Sequence, residues 1–418
     1  TALPTLPRGL AALALAVAIA SLVLLRERAA PLLLALAVLA TFLVGVIVAL
    51  VLERLLVYFR DGSRAGLYGS PDLVELVRQL DRTLEAEGLR GVSLSFLGHS
   101  LGTSVITNAL RVLADAFEPQ VVGGLRAGDP GRRASGRIGR CLHLGQLVLV
   151  APDIPVETVI PRRSNVLASA LRRVREAHVF TSEGDLALRL ASTAANYFSF
   201  PARRRFSGYR LGNLTARHFE AAVNRRGRRP VYGLVPPFAG PPEGELPGWL
   251  LEIRASDAEH RNLTEEPFAP WVATTEDDAT NRISTYDCTD VLDRPAAAWG
   301  GADPAARPRG LLTQARQRDA LNLPAYASLL AAYLRFSLGF RGGIDTHGGY
   351  FRGDATQEWI YVLAFAGFAQ LRATLERSAA GGLVPAAEQL QLQLVLSPRE
   401  RRALGAPIPD RDGRPTGA

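Results

Sequence analysis

Apolar residues follow three patterns along this chain. The first is continuous. Gly9–Leu25 (GLAALALAVAIASLVLL) holds about 17 apolar or small residues, and after Arg26, Glu27 and Arg28 the run Pro31–Leu52 (PLLLALAVLATFLVGVIVALVL) holds about 22 more, with Thr41 its polar member. Runs of this length match the ~20 residues a helix needs to cross a bilayer core. The first run alone would also fit a signal peptide. The two together predict a transmembrane helical hairpin over residues 1–54. Arginines outside it (Arg8, Arg54, Arg60, Arg64) outnumber those in its turn (Arg26, Arg28). By the positive-inside rule the bulk of the chain then lies on the cytoplasmic side.

The second pattern repeats at three- and four-residue steps. Ser70 caps, Pro71 and Asp72 open, and Leu73, Leu76, Val77, Leu80 and Leu84 line one face of a helix that Gly88 stops. Val105, Ile106, Ala109, Leu110, Leu113 and Phe117 line a second, ended by Pro119. Further helices are expected near Asn165–Arg175, over Ala325–Phe340 and over Gln357–Leu375. The third pattern is the short, nearly unbroken apolar run of a strand buried on both faces. Gln146–Val150 reads this way; Val92–Leu97, Ala177–Thr181 and Ile283–Asp290 also read as strands, and a further short strand is expected at Leu55–Phe59. Strands alternating with helices predict an α/β fold, a mostly parallel sheet covered by helices. Residues 197–281, rich in Pro, Gly and Arg, break the rhythm and read as an insertion or cap. The catalytic-domain candidate spans 55–385, and a polar, frayed tail occupies 386–418.

Composition narrows the options. The formal net charge is +8, and with no lysine present every fixed side-chain cation is an arginine. A GC-rich genome produces this bias, and the same surface is attracted to anionic lipid. Arginine clusters at Arg203–Arg205 and Arg225–Arg229 lack interleaved aromatics, which argues against nucleic acid as a partner. Two cysteines, Cys141 and Cys288, make no disulfide framework. No Cys/His spacing resembles a metal site. No metal or cofactor is implied.

The candidate chemistry sits at FLGHSLGT, Phe96–Thr103, where Ser100 stands between Gly98 and Gly102 as a strand gives way to a helix. Gly-x-Ser-x-Gly alone is a weak signal. At a strand–helix junction it is strong, because the sharp turn lifts the hydroxyl above the sheet and small neighbours avoid collision there. In this setting GHSLGT resembles the α/β-hydrolase superfamily. "LVLVAPDIP" and "AHVFTSEGDLALRLAS" resemble a bacterial esterase/lipase-like branch of largely unassigned substrate. The resemblance covers residues 70–200 well and 283–375 more loosely.

It implies a serine nucleophile, a carboxylate and a histidine, in that order along the chain. Among six histidines, His347 in THGGYF follows the last strand, where the superfamily's base belongs. His99 should pack, His143 and His178 sit in or beside strands, and His218 and His260 lie in the insertion. Asp185 occupies the usual acid position, after the second strand beyond the elbow. Asp153, after the first, is the rival, and Asp345 is too close to His347 in sequence to be an easy partner. Leu101 N–H would supply one oxyanion donor. The second has no evident source, Gly62 being a poor stand-in. The N-terminal half of a hydrolase sheet is also missing from the sequence. Either the chain is a fragment with the hairpin inserted between early strands, or it is complete with a reduced sheet.

The expectation is a serine hydrolase of the bacterial inner membrane, catalytic domain leaning cytoplasmic, that cleaves a carboxylic ester or a lipid-like acyl substrate. Residues 197–281 or the helix Ala325–Phe340 would form a lid. The alternatives are a non-catalytic membrane protein that binds through a hydrolase-like scaffold, and an acyltransferase. Nothing in the sequence fixes acyl specificity or oligomeric state.

Overall fold

The computed structural model describes residue 19 and residues 31–117, 137–155, 158, 167–190, 210–213, 232–234, 251–254, 260–262, 282–296, 307–314, 321 and 323–405. The chain divides into two compact units, Thr1–Leu67 and Tyr68–Ala418.

The first unit contains α1, Pro31–Arg64, an unbroken helix of 34 residues. The short strand expected at Leu55–Phe59 is part of it. Once nucleated, a helix propagates through the leucine-rich stretch Glu53–Asp61, which has no proline or glycine to stop it. Glu53, Arg54, Arg60, Asp61 and Arg64 make its second half charged. Among the described residues no helix is long and apolar enough to cross a membrane. Gly9–Leu25, apart from Ile19, lies outside those residues, so the expected hairpin is not supported here.

The second unit is built on a five-stranded sheet: β1 (Val92–His99), β2 (Leu142–Val150), β3 (Glu176–Thr181), β7 (Ile283–Asp287) and β10 (Gln393–Val395), adjacent in that order. The first four run parallel, and β10 pairs antiparallel with β7 through Val395 and Thr285. Helices α2 (Ser70–Ala86) and α3 (Leu101–Phe117) pack together, and α3 also packs on β1 and on α4 (Ala168–Arg173). Val148, Val150, Phe180 and Tyr286 meet Trp359, Ile360 and Leu363 of α6 (Asp354–Phe365) in one core. Side-chain alternation sends Leu147 and Leu149 to the other face, and they are buried too. Both faces of β2 are therefore covered, which is why its sequence reads as an unbroken apolar run.

Three features depart from the sequence pattern. The helix expected over Gln357–Leu375 is two, α6 and α7 (Phe368–Arg377), separated at Gly367, whose φ is +83°. A Cβ there would lie 2.8 Å from both Gln146 Nε2 and Glu176 Oε2, so the chain bends where it meets the sheet. The stretch from 386, expected as a polar tail, instead supplies the end of α8 (Leu383–Gln389), the edge strand β10 and α9 (Pro398–Ala403). Leu392, Val395 and Leu396 are buried, and burial of about 1.5–3 kcal/mol per large apolar side chain is enough to order so short a strand. The insertion lies largely outside the described residues. Its described parts include a separate antiparallel sheet of β4 (Tyr232–Leu234), β5 (Leu251–Arg254) and β6 (His260–Asn262). The two-stranded pair β8 (Leu292–Asp293) and β9 (Arg309–Gly310) and helix α5 (Leu323–Ser337) complete the unit.

Asp81 on α2 anchors the entry to β2. Its carboxylate accepts the backbone N–H groups of Arg140 and Cys141 at 2.8 Å each and of Leu142 at 3.2 Å. Gly139 is pressed against it, with no room for a Cβ. Asp81→Ala strands these donors and should lower unfolding free energy by about 3 kcal/mol in urea titrations followed by circular dichroism. A loss below about 1 kcal/mol would mean water replaces the carboxylate without cost.

Candidate active site

Ser100 is the single residue between β1 and α3, and its φ of +54° is left-handed. That conformation costs a non-glycine residue on the order of 1–2 kcal/mol. Its backbone bonds hold it there. Ser100 N–H donates to Val150 O at 3.0 Å, and Ser100 O accepts from Thr103 N at 3.0 Å and Asp153 N at 3.3 Å. The Thr103 hydroxyl donates to the same carbonyl at 2.5 Å and accepts from Asp153 N at 3.1 Å. Thr103 is fully buried and bolts the turn to the end of β2.

The two elbow glycines are not equivalent. A Cβ on Gly98 would come within 2.7 Å of Ile106 Cδ1 and 3.2 Å of the Thr103 backbone. A Cβ on Gly102 would meet nothing within 4 Å. Collision therefore explains Gly98 and does not explain Gly102, contrary to the expectation that both positions are crowded. Leu101 opens α3, so its N–H has no acceptor one turn back within the helix and is available to an oxyanion. Gly62 lies inside α1, where a helical N–H is spent on the preceding turn, which removes it as a donor.

His347 Nε2 lies 2.7 Å from Ser100 Oγ, and its Nδ1 lies 2.8 Å from Asp185 Oδ2. An ionised carboxylate only accepts, so Nδ1 carries the proton, Nε2 accepts, and the serine hydroxyl donates. The Asp185 side chain is wholly buried, while that of His347 is 22 % exposed. The imidazole is thus reachable and the carboxylate beside it is sealed. Burial alone would lower the pKa of His347, but the charge of Asp185 and its hydrogen bond outweigh that and raise it above the ordinary value.

Asp185 also caps a helix, with Oδ1 accepting from Leu188 N at 3.0 Å. Its loop is held by a residue the sequence did not single out. Asn213, in the nominal insertion, donates through Nδ2 to Ser182 O, Glu183 O and Asp185 O at 3.1, 3.0 and 3.3 Å. The turn Leu211–Asn213 reaches it by running against β2, where Gly212 lies too close to Ala151 and Pro152 for any side chain. Asp153, the rival acid, pairs with Arg210 at 3.0 Å. It supports the elbow through its backbone, and Asp185 meets the imidazole.

Two further groups position His347. His99 packs against the His347 loop, donating from Nε2 to His347 O at 3.0 Å, its ring 4.8 Å from the His347 ring. Burial, then the neighbouring imidazole, lower its pKa, so it remains a neutral donor. Asp345 is not the acid but folds the loop. Its Oδ1 accepts from Gly348 N at 2.8 Å and His347 N at 3.3 Å, and its Oδ2 pairs with Arg352 at 3.1 Å. His143 lies on β2 and His260 on β6, and His218 lies outside the described residues.

Residues 58–199 match the model of a family described as "Alpha/beta hydrolase of unknown function (DUF900)". No curated protein and no solved structure gives a match. The mostly parallel, helix-flanked sheet and this match agree on an α/β-hydrolase scaffold.

The balance at His347 is open to measurement. In carbon-13 histidine NMR titrations its midpoint should lie above the ordinary ~6.5. Asp185→Asn removes the largest raising influences and leaves burial opposed only by the charges of Asp345 and Asp153, so the midpoint should fall. A midpoint that ignores Asp185→Asn but shifts with Asp153→Asn would transfer the partnership to Asp153.

Proposed function

We propose that this chain, with its α/β-hydrolase scaffold, is a serine hydrolase acting on a carboxylic ester or related acyl substrate. One observation carries the reading: a strained, left-handed serine whose hydroxyl is 2.7 Å from an imidazole that is itself 2.8 Å from a sealed carboxylate. A serine hydroxyl is a poor nucleophile at neutral pH and needs a base within hydrogen-bond reach. In the proposed reaction Oγ attacks the acyl carbon as its proton passes to Nε2. The Leu101 N–H stabilises the oxyanion. Nε2 returns the proton to the leaving alcohol; water, deprotonated in turn by Nε2, then attacks the acyl carbon, and Nε2 hands that proton to Oγ as the acid leaves. Asp185 keeps its partner's proton on Nδ1 and stabilises the imidazolium.

An apolar acyl group is favoured by the surroundings. Helix α5 packs Ala325 and Leu329 inward with Leu321 and Leu186, just past Asp185. It leaves Leu330 and Leu334 exposed, followed by exposed Leu338 and Phe340 on the way to His347. Such a surface suits a lid or a lipid-like substrate. We propose in addition that the apolar runs of residues 1–54 anchor the protein in the bacterial inner membrane, a reading that rests on their sequence.

A fluorophosphonate probe should label the wild type and not Ser100→Ala. Equal reactivity of the two would end the hydrolase reading. Because the base must be neutral, labelling should rise with pH through the raised His347 pKa. Asp185→Asn should cost about 10⁴-fold in turnover of p-nitrophenyl esters. For the anchor, the full chain should remain in the membrane pellet after alkaline carbonate, and a variant lacking residues 1–54 should leave it. Extraction of the full chain by carbonate alone would remove the anchor.

A further inference from the structure

We infer that Glu176, His178 and Glu400 form a binding site for a divalent transition-metal ion of the zinc class, which staples the C-terminal segment to the sheet. Glu176 and His178 are the first and third residues of β3, so their side chains share a face. Glu400 comes from α9, beyond the edge strand β10. One ligand atom from each residue lies within 4.8 Å of the others, a grouping found among the described residues. Zinc bonds of about 2.0–2.2 Å put neighbouring donors roughly 3–4 Å apart, and Glu176 Oε2 lies 3.5 Å from His178 Nε2.

A second observation points to a ligand. His178 is fully buried, and its Nε2 meets Glu176 Oε2 only at 3.5 Å, a contact too poorly aligned to satisfy it as a hydrogen bond. A buried polar atom without a partner is costly, and coordination would relieve it. Each donor residue also has the outer contact that ligating side chains use to fix their orientation. Tyr286 OH lies 3.2 Å from His178 Nδ1, Phe368 N–H donates to Glu176 Oε2 at 2.7 Å, and the Ser284 hydroxyl donates to Glu400 Oε2. Glu176 Oε2 stands on the Nε2 side of the ring and Glu400 Oε1 lies 3.7 Å from Nδ1, so the two carboxylates flank the imidazole and an ion on Nε2 would draw Glu400 across to it.

Charge and donor type choose the ion. Two carboxylates match the charge of a divalent cation. An imidazole nitrogen among only three protein donors suits zinc and its neighbours over calcium or magnesium, which want more oxygens. The cluster lies at the amino-terminal end of the parallel strands, whereas Ser100 and Asp185 follow their carboxyl-terminal ends. The ion is therefore structural, and the inference stands independently of the proposed hydrolase activity.

Tag-free full-length protein from zinc-supplemented medium, desalted and analysed by mass spectrometry, should carry about one zinc per chain. Chelation should lower the melting temperature by at least about 4 °C, and added zinc should restore it. Glu400→Gln should lose the metal and Ser100→Ala should keep it. Cobalt(II) loading of the wild type needs no variant, and should give visible absorption bands that zinc abolishes. Metal-free wild type whose melting is indifferent to chelator and zinc, with no cobalt bands, would overturn the inference. So would full metal retention in folded Glu400→Gln. Either result would leave a proton on Nε2 as the occupant of that space.

Discussion

The left-handed backbone of Ser100 is the constraint on which the rest of the unit turns. One residue must end a strand and start a helix, and only a positive φ turns the chain that sharply. The conformation is unfavourable for serine, so its neighbours must over-determine it. They do so with bonds from two separate pieces of chain: the end of β2 and the turn just past it, through Val150 O and Asp153 N, and the first turn of α3, through Thr103. The elbow is thus as rigid as the packing of β2 against β1. The fully covered faces of β2 supply that rigidity, which links the apolar run Leu147–Val150 to the placement of one hydroxyl.

Asp185 shows the same logic in electrostatic form. A buried carboxylate is expensive unless each oxygen is engaged. Oδ1 is spent on a helix start and Oδ2 on His347. Because the acid is sealed while the imidazole stays partly open, the pair can stabilise positive charge on the ring without losing contact with solvent on the serine side. His99 would compete for that charge if it ionised. Its burial favours the neutral form, in which it donates to the His347 carbonyl.

Legibility in the sequence followed how local each signal was. The elbow, the alternation of strands and helices, and the position of Asp185 just past a strand were readable, because each lies within a few residues of the pattern that marks it; His347, expected after the last strand, instead lies in the loop between α5 and α6, with β10 still to come. Thr103 and Asn213 were not. Thr103 looks like any helix residue until the carbonyl it holds is known. Asn213 sits among Pro, Gly and Arg that disguise a turn docked against β2. The end of the chain misled for a related reason: QLQLVL offers too few residues to announce a strand, and its pairing partner in β7 lies over a hundred residues earlier. The break at Gly367 was hidden by an apolar period that continues across it, since the cause is contact with Glu176 and Gln146 on the sheet.

These long-range contacts divide the sheet by function. At the carboxyl-terminal ends of the parallel strands, loops carry strain and titratable groups: a left-handed Ser100, a left-handed Ala151 after β2, and the Asp185 loop. At the amino-terminal ends the polar side chains act as fasteners. Asp81 gathers three backbone donors before β2, and Glu176 receives the start of α7. Glu400 reaches Ser284 at the start of β7 from the C-terminal segment. A parallel sheet makes this division natural, because every crossover enters at one end and leaves at the other. Strain at the exits is tolerable only where the entries are fixed. The buried acids at the entries therefore contribute to the site from the far side of the sheet, without approaching any reacting atom.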